Sequence, residues 1–115
     1  MRIPAGAKLY IGPPANPIPK QVSDALGMEL GKISEIQEAH LPMFYIKGHI
    51  DPPAQVLFIV LEDNAPSPEL RITEAVRAIL PPNFFLNITE AYPGDRNLPT
   101  VRATGTQLNL NREQR

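Results

Sequence analysis

The chain has 115 residues, a formal net charge of −1, and 43% hydrophobic against 20% charged side chains. That fits one domain with a real core and excludes a disordered or fibrous chain. The near-neutral charge, with no Lys/Arg-rich run, argues against nucleic acid or an anionic membrane surface as partner, and zero cysteines exclude disulfides, thiolate metal sites and thiol nucleophiles.

Met1-Arg2 leads into Ile3-Pro4-Ala5-Gly6 with no apolar leader, so a cytoplasmic location is expected. The chain carries 14 prolines, well above the usual share of about 5%, mostly at seams between candidate elements. Lys8-Leu9-Tyr10-Ile11, stopped by Gly12-Pro13-Pro14, reads as a first strand. Asn16-Pro17 has the form of a helix start, asparagine as cap and proline at the first helical position. From there Val22, Ala25, Leu26, Leu30 and Ile33 keep the spacing of one apolar helix face. Gly27 and Gly31, four apart on this helix, each cost about 1 kcal/mol of helix propensity. Close packing of the helix on a sheet is the simpler reason for them; a bare backbone turned to a partner is the other.

Residues 36–47 alternate in a two-residue period, with apolar groups on both faces, and Pro42 in the middle predicts a sheet edge or a bulge there. The stretch 48–53 reads as a loop into Val56-Leu57-Phe58-Ile59-Val60-Leu61, six apolar residues closed by Glu62-Asp63. That hexamer has the signature of a strand buried on both faces, antiparallel to the one before it. Ser67-Pro68-Glu69 predicts a serine-capped helix with an apolar stripe of Leu70, Ile72, Ala75, Val76, Ile79 and Leu80, ended by Pro81-Pro82. Phe84, Leu86 and Ile88 alternate with Phe85, Asn87 and Thr89 as a last strand with one wetter face.

This βαββαβ order predicts an α+β, ferredoxin-like domain over residues 1–92. It would have a four-stranded antiparallel sheet in the spatial order fourth, first, third, second, with both helices on one face. Residues 93–115 read as a C-terminal tail whose Leu108-Asn109-Leu110-Asn111 alternation either adds an edge strand, pairs with a second copy, or stays loose.

Chemistry-bearing residues are few. His49-x-Asp51 with His40 nearby is a weak metal set, and no metal or other cofactor is expected. Glu62 and Glu90 follow strands that would end at opposite ends of the sheet, which spoils them as an acid–base pair. Gly12 to Pro17 joins a strand to a helix, yet its prolines leave too few donors for a phosphate cradle. No serine sits in a nucleophile elbow, and the aromatic residues lack an RNA-binding motif. The remaining candidate pocket would involve Gly12, Pro14, His40 and His49.

Ile3-Pro4-x-Gly6, Ile11-Gly12-x-Pro14-Ala15, Pro17, Leu26, Ile36, Ala39, Leu41, residues 57–62 and Leu80-Pro81 together resemble the C-terminal domain of the SseB (enhanced serine sensitivity) family. The likeness spans about three quarters of the chain and consists of glycines, prolines and apolar spacing, without a catalytic signature. It implies a small bacterial cytoplasmic protein and supplies no catalytic residue. The family's preceding N-terminal domain is missing from this sequence, as in a stand-alone version or a fragment, and Gln107 to Arg115 departs from the family's aromatic ending. The expectation is a non-enzymatic interaction or regulatory module that binds a protein partner or a second copy, through Met43, Phe44, Tyr45, Ile46, Leu108 and Leu110. The rival is a small-molecule-binding or catalytic domain at the Gly12–Pro14/His40/His49 pocket.

Overall fold

A computed structural model describes residues 6, 8–81 and 86–112. In chain order the elements are β1 (Tyr10–Gly12), α1 (Lys20–Gly31), β2 (Ile36–His40), β3 (Met43–Ile46), β4 (Ile50–Leu61), α2 (Glu69–Ile79), β5 (Asn87–Ala91) and α3 (Leu98–Ala103). The class is α+β, built on a curled, mostly antiparallel sheet. Ile3 and Pro4 of the family-like opening, Phe84 and Phe85 of the expected last strand, and the final residues 113–115 lie outside the described residues.

β4 is the centre. Its apolar half alternates strictly: Leu57, Ile59 and Leu61 join a cluster with Leu26 and Leu30 of α1 and Ile72 and Ala75 of α2. Val56, Phe58 and Val60 join a second cluster with Phe44 of β3 and Leu98 and Val101 of α3. All six are at most 2% exposed, as a continuous apolar run between two layers requires. The strand is twice the length of the hexamer because the turn comes early, at Lys47-Gly48-His49. There His49 N–H donates to the Ile46 carbonyl at 2.9 Å, and Gly48 takes a left-handed φ of 78° that favours glycine. Pro52 and Pro53 lie within β4 where its register with β3 shifts, between the Phe44–Ala54 and Ile46–Ile50 pairs.

β2 and β3 together form the expected antiparallel partner of β4, broken at Leu41-Pro42. β2 is the terminal strand of the order and the register of both pairings shifts, in keeping with the expected edge or bulge, while β3 lies between β1 and β4. β1 pairs antiparallel with β3, Tyr10 opposite Tyr45, and residues beyond α3 lie against β2, where Gln107 bridges to His40. Pro42 sits between those two outer neighbours. Its carbonyl accepts from Val56 N–H at 2.9 Å, and the Gln55 side-chain amide donates to the Leu41 carbonyl at 3.0 Å, so a side chain bonds the backbone where the ladder is interrupted.

The spatial order differs from the ferredoxin-like expectation in number, sequence and direction. There are five strands and three helices among the described residues, ordered β1-β3-β4-β2 with β5 on β4. β5 runs parallel to β4, from Val56 opposite Asn87 to Val60 opposite Ala91. A chain that leaves one strand through a helix and returns alongside comes back parallel. β5 therefore takes the place beside β4 expected for the first strand, and β1, three residues long, is left on the far side of β3. α1 and α2 do share one face, as expected, and α3 covers the other.

Two helix starts also differ. α1 begins at Lys20 with Pro19, not Asn16, at the cap position. α2 begins at Glu69 with Pro68 before it and no side-chain cap; Ser67 Oγ donates to the Glu90 carboxylate at 2.6–2.7 Å. Leu70, assigned to the apolar stripe, is 72% exposed. Part of the expected tail is structured: Leu98 and Val101 of α3 are buried, and so is Leu108.

Candidate functional site

Alternation along β3 divides the expected contact residues. Phe44 and Ile46 are 1% exposed and belong to the interior, so their side chains are not on the surface. Leu108 is buried in the α1/α2-side core and Leu110 packs half-buried against it. Met43 and Tyr45 point the other way and are half-buried. Tyr10, opposite Tyr45 in register, is 51% exposed, and the two rings lie 5.9 Å apart and tilted by 44°. Lys8 Nζ stands 5.1 Å above the Tyr10 ring, a cation–π placement.

Among the described residues, no helix lies over this face. The cluster under α1 and α2 draws on β2 and the far half of β4 and contains no residue of β1 or β3. The reverse side of β1 and β3 is closed by α3 through Ile11, Phe44, Leu98 and Val101. Gln55, the Cα partner of Met43, carries the bare face into an open cleft of about 200 Å³ lined by Pro14, Pro17, Ile18, Leu41, Thr106 and Leu108, among others. None of the lining groups is titratable.

The residues of the expected pocket are not brought together. Pro14 lines the cleft, Gly12 ends β1 opposite Met43, and His49 is exposed in the β3–β4 turn. His40 is 0% exposed, opposite Phe58 of β4. Six residues of extended chain, about 20 Å, separate it along the lane from the turn that holds His49. His40 Nε2 lies 2.9 Å from Glu38 Oε1 and carries the proton shared with that carboxylate; its Nδ1 makes no hydrogen bond. Arg102 of α3 completes the set, donating from Nε to Glu38 Oε1 at 3.1 Å and from its terminal nitrogen to Oε2. These bonds, Arg102 first and His40 after it, hold the Glu38 carboxyl below its ordinary value against the cost of burial. A carboxylate orienting an imidazole resembles part of a catalytic relay, but this imidazole is sealed from solvent. What the arrangement does is fasten α3 to β2.

A second ion pair joins Arg71 of α2 to Glu35 just before β2. Arg71 first, then the backbone N–H of Glu35 and the Ser34 hydroxyl, lower the Glu35 carboxyl. Among the described residues no group of three or more His, Cys, Asp or Glu is placed to hold a metal ion, and no helix is long and apolar enough to cross a membrane.

Sequence reasoning missed α3 and the Arg102–Glu38–His40 set. The helix was signalled by Asn97-Leu98-Pro99-Thr100-Val101, a proline in the first turn with apolar residues three apart. The ion set carried no signal, since Glu38 and Arg102 are 64 positions apart. No family model, curated protein or solved structure matches the chain.

Proposed function

We propose that the chain is a non-catalytic protein-interaction module, and that its contact surface is the sheet face of Tyr10, Met43 and Tyr45 running into the cleft beside Gln55. The observation that carries this is exposed Tyr10 against half-buried Tyr45, on a face that neither helix layer covers among the described residues. Tyrosine and methionine are enriched at protein interfaces, where a large rigid side chain gives contact area at low entropic cost. The occupant is an extended segment of a partner protein: apolar side chains seat on the two rings, a carboxylate meets Lys8, and backbone groups meet the amides and hydroxyls of Gln55, Thr106 and Gln107.

The SseB-like reading, with the bacterial cytoplasmic setting it implies, belongs to the same proposal and is supported by the glycine, proline and apolar spacing already quoted. The pocket alternative has less support, because His40 and His49 are apart and the cleft falls short of the roughly 300 Å³ at which small-molecule sites begin.

Site-specific photo-crosslinking in the producing cell tests the proposal, with the photoreactive residue at position 45 and, as control, at exposed Leu70 on α2. A discrete adduct at 45, absent at 70 and lost in Tyr10→Ser with folding intact, is expected. Equal labelling at both positions, or none at 45, overturns it.

A further inference from the structure

The tyrosine face has the relief of a trough. Tyr10 and Tyr45 form its head, their rings 5.9 Å apart and inclined at 44°. Two residues further along both strands, Gly12 stands opposite Met43. A Cβ on Gly12 would meet nothing within 4 Å, so a notch and not a wall follows the rings. Gln55, the partner of Met43 on β4, then leads into the cleft lined by Pro14, Thr106 and Gln107. The face also carries hydrogen-bonding side chains left over from folding. Among the described residues the hydroxyls of Tyr10 and Tyr45 have no partner. Gln55 gives one N–H to the Leu41 carbonyl at 3.0 Å and keeps the other. Lys8, 5.1 Å above the Tyr10 ring, places a positive charge at the head, and no titratable group lines the cleft.

Those leftover donors discriminate between the regular conformations an occupant can take. A helix keeps its backbone bonds to itself, so it would bury the two hydroxyls and the amide unpaired. A β-strand needs a ladder of backbone partners, and the face of a sheet offers side chains only. Polyproline II has no internal hydrogen bonds and leaves every carbonyl free to accept, which is what phenols and a carboxamide N–H supply. The spacing agrees. From the middle of the tyrosine pair to Gln55 is two residues along the strands and about one and a half strand spacings across, about 10 Å in all. Polyproline II brings the same side round every three residues, about 9 Å.

We infer that the face binds a polyproline II segment with prolines three apart, one seated on Tyr10 and Tyr45 and the next at the mouth of the cleft beside Gln55. An acid outside the first proline meets Lys8, and the notch at Gly12 takes the backbone between the two. Proline loses no side-chain entropy when its ring is set against a phenol. The segment is already in its bound conformation, so little ordering is added on binding. This inference rests on the interaction reading above and narrows it: the partner's segment is proline-rich, with a carboxylate at one end and neutral elsewhere.

The test titrates the full chain, followed by its backbone amide resonances, with a blocked peptide of one aspartate followed by a run of prolines. Length-matched controls are a helix-forming alanine-rich peptide and a flexible glycine/serine peptide, both with the same aspartate. Saturable shifts are expected around Tyr10, Met43, Tyr45 and Gln55 and none around Leu70, with affinity about tenfold or more above either control. Gly12 lies in a strand without a left-handed φ, so Gly12→Leu fills the notch on an unstrained backbone. It should weaken binding about tenfold without lowering the urea midpoint. Tyr45→Phe keeps the ring, loses one donor, and should weaken it about fivefold. No saturable shift on this face, controls that bind as well as the proline peptide, or indifference to Gly12→Leu and Tyr45→Phe overturns the inference. A discrete in-cell adduct at position 45 without proline-peptide binding removes the polyproline assignment alone; no adduct removes the interaction reading and the inference with it.

Discussion

Gly31→Ala separates two opposed effects by sign. In a helix interior the change relieves backbone entropy and stabilises by about 1 kcal/mol, and at Gly31, the last residue of α1, by at most about that much. Here the new Cβ would lie 2.0 Å from the Leu110 oxygen, so a backbone carbonyl must retreat by about 1 Å to reach even the closest tolerable contact. Overpacking against fixed atoms costs roughly 1–3 kcal/mol. A retreat of the 109–112 segment also loosens both Arg112 bonds at the end of α1, one exposed and one part-buried, each worth about 1 kcal/mol. The full chain is therefore expected to lose about 1–2 kcal/mol on balance. Urea denaturation with an unchanged m-value measures it. The decisive control ends the chain after Leu108, which keeps that side chain in the core and removes the obstructing carbonyls; there Gly31→Ala should turn stabilising. A stabilised full-length Gly31→Ala chain, or a penalty that survives the truncation, would refute the backbone-contact account.

Three further outcomes are expected. Glu38→Gln should destabilise the chain at neutral pH by weakening its hold on Arg102 and His40. Because the Glu38 carboxyl is lowered from 4.5, its contribution is complete above that value and drains away as pH falls through the folded-state value, so the gap between variant and parent should close on acidification; a gap constant with pH in denaturant titrations would contradict this. Leu57→Ala, at a 0% exposed position on β4, should cost about 2–5 kcal/mol by transfer and cavity terms, read as a drop in urea midpoint, and a loss below about 1 kcal/mol would mean the two-layer core is misplaced. Ser67→Ala should change stability by no more than about 0.5 kcal/mol, since its hydroxyl meets exposed Glu90; a loss near 1 kcal/mol in the same titration would reinstate the serine as a helix cap.

What could be read from the chain alone was whatever periodicity and composition control. Residues 56–61 announced a strand buried on both sides, because alternation vanishes only when neither face is wet. Pro81 ended α2 because the residue before a proline resists helical backbone. The sheet order was not legible, since β1 beside β3 and β1 between β4 and β5 ask the same things of Tyr10 and Ile11. The helix starts moved because caps compete with tertiary bonds: Ser67 spends its hydroxyl on Glu90, 23 positions away. Gly27 and Gly31 were recognised as a close-approach signal, but the identity of what approaches lay nearly 80 residues downstream and left no periodic trace. The tyrosine face was half legible, as β3 alternates; which alternate faced solvent depended on α3, a helix of six residues and so too short for its periodicity to register.

The interruption at Leu41-Pro42 decides what each surface of the sheet is available for. A proline between two paired strands costs one donor, and here the outer neighbour changes across that gap, β1 beside β3 and the 106–108 segment beside β2. The helices follow the same division. α1 and α2 draw their core from β2 and the far half of β4, where Leu57, Ile59 and Leu61 supply apolar area, while the near half of β4 offers that side only Pro53 and Gln55, with Asp51 and both prolines exposed. With little to bury there, no described helix of that layer lies over Tyr10, Met43 and Tyr45. Among the described residues one face lacks a helix because the polar, proline-bearing start of β4 offers it little apolar area; the β2 edge on the other side of the break is filled from the chain's own end. The two sides of the break thus share one origin in sequence, which is why a strand that looked continuous carries two different kinds of neighbour.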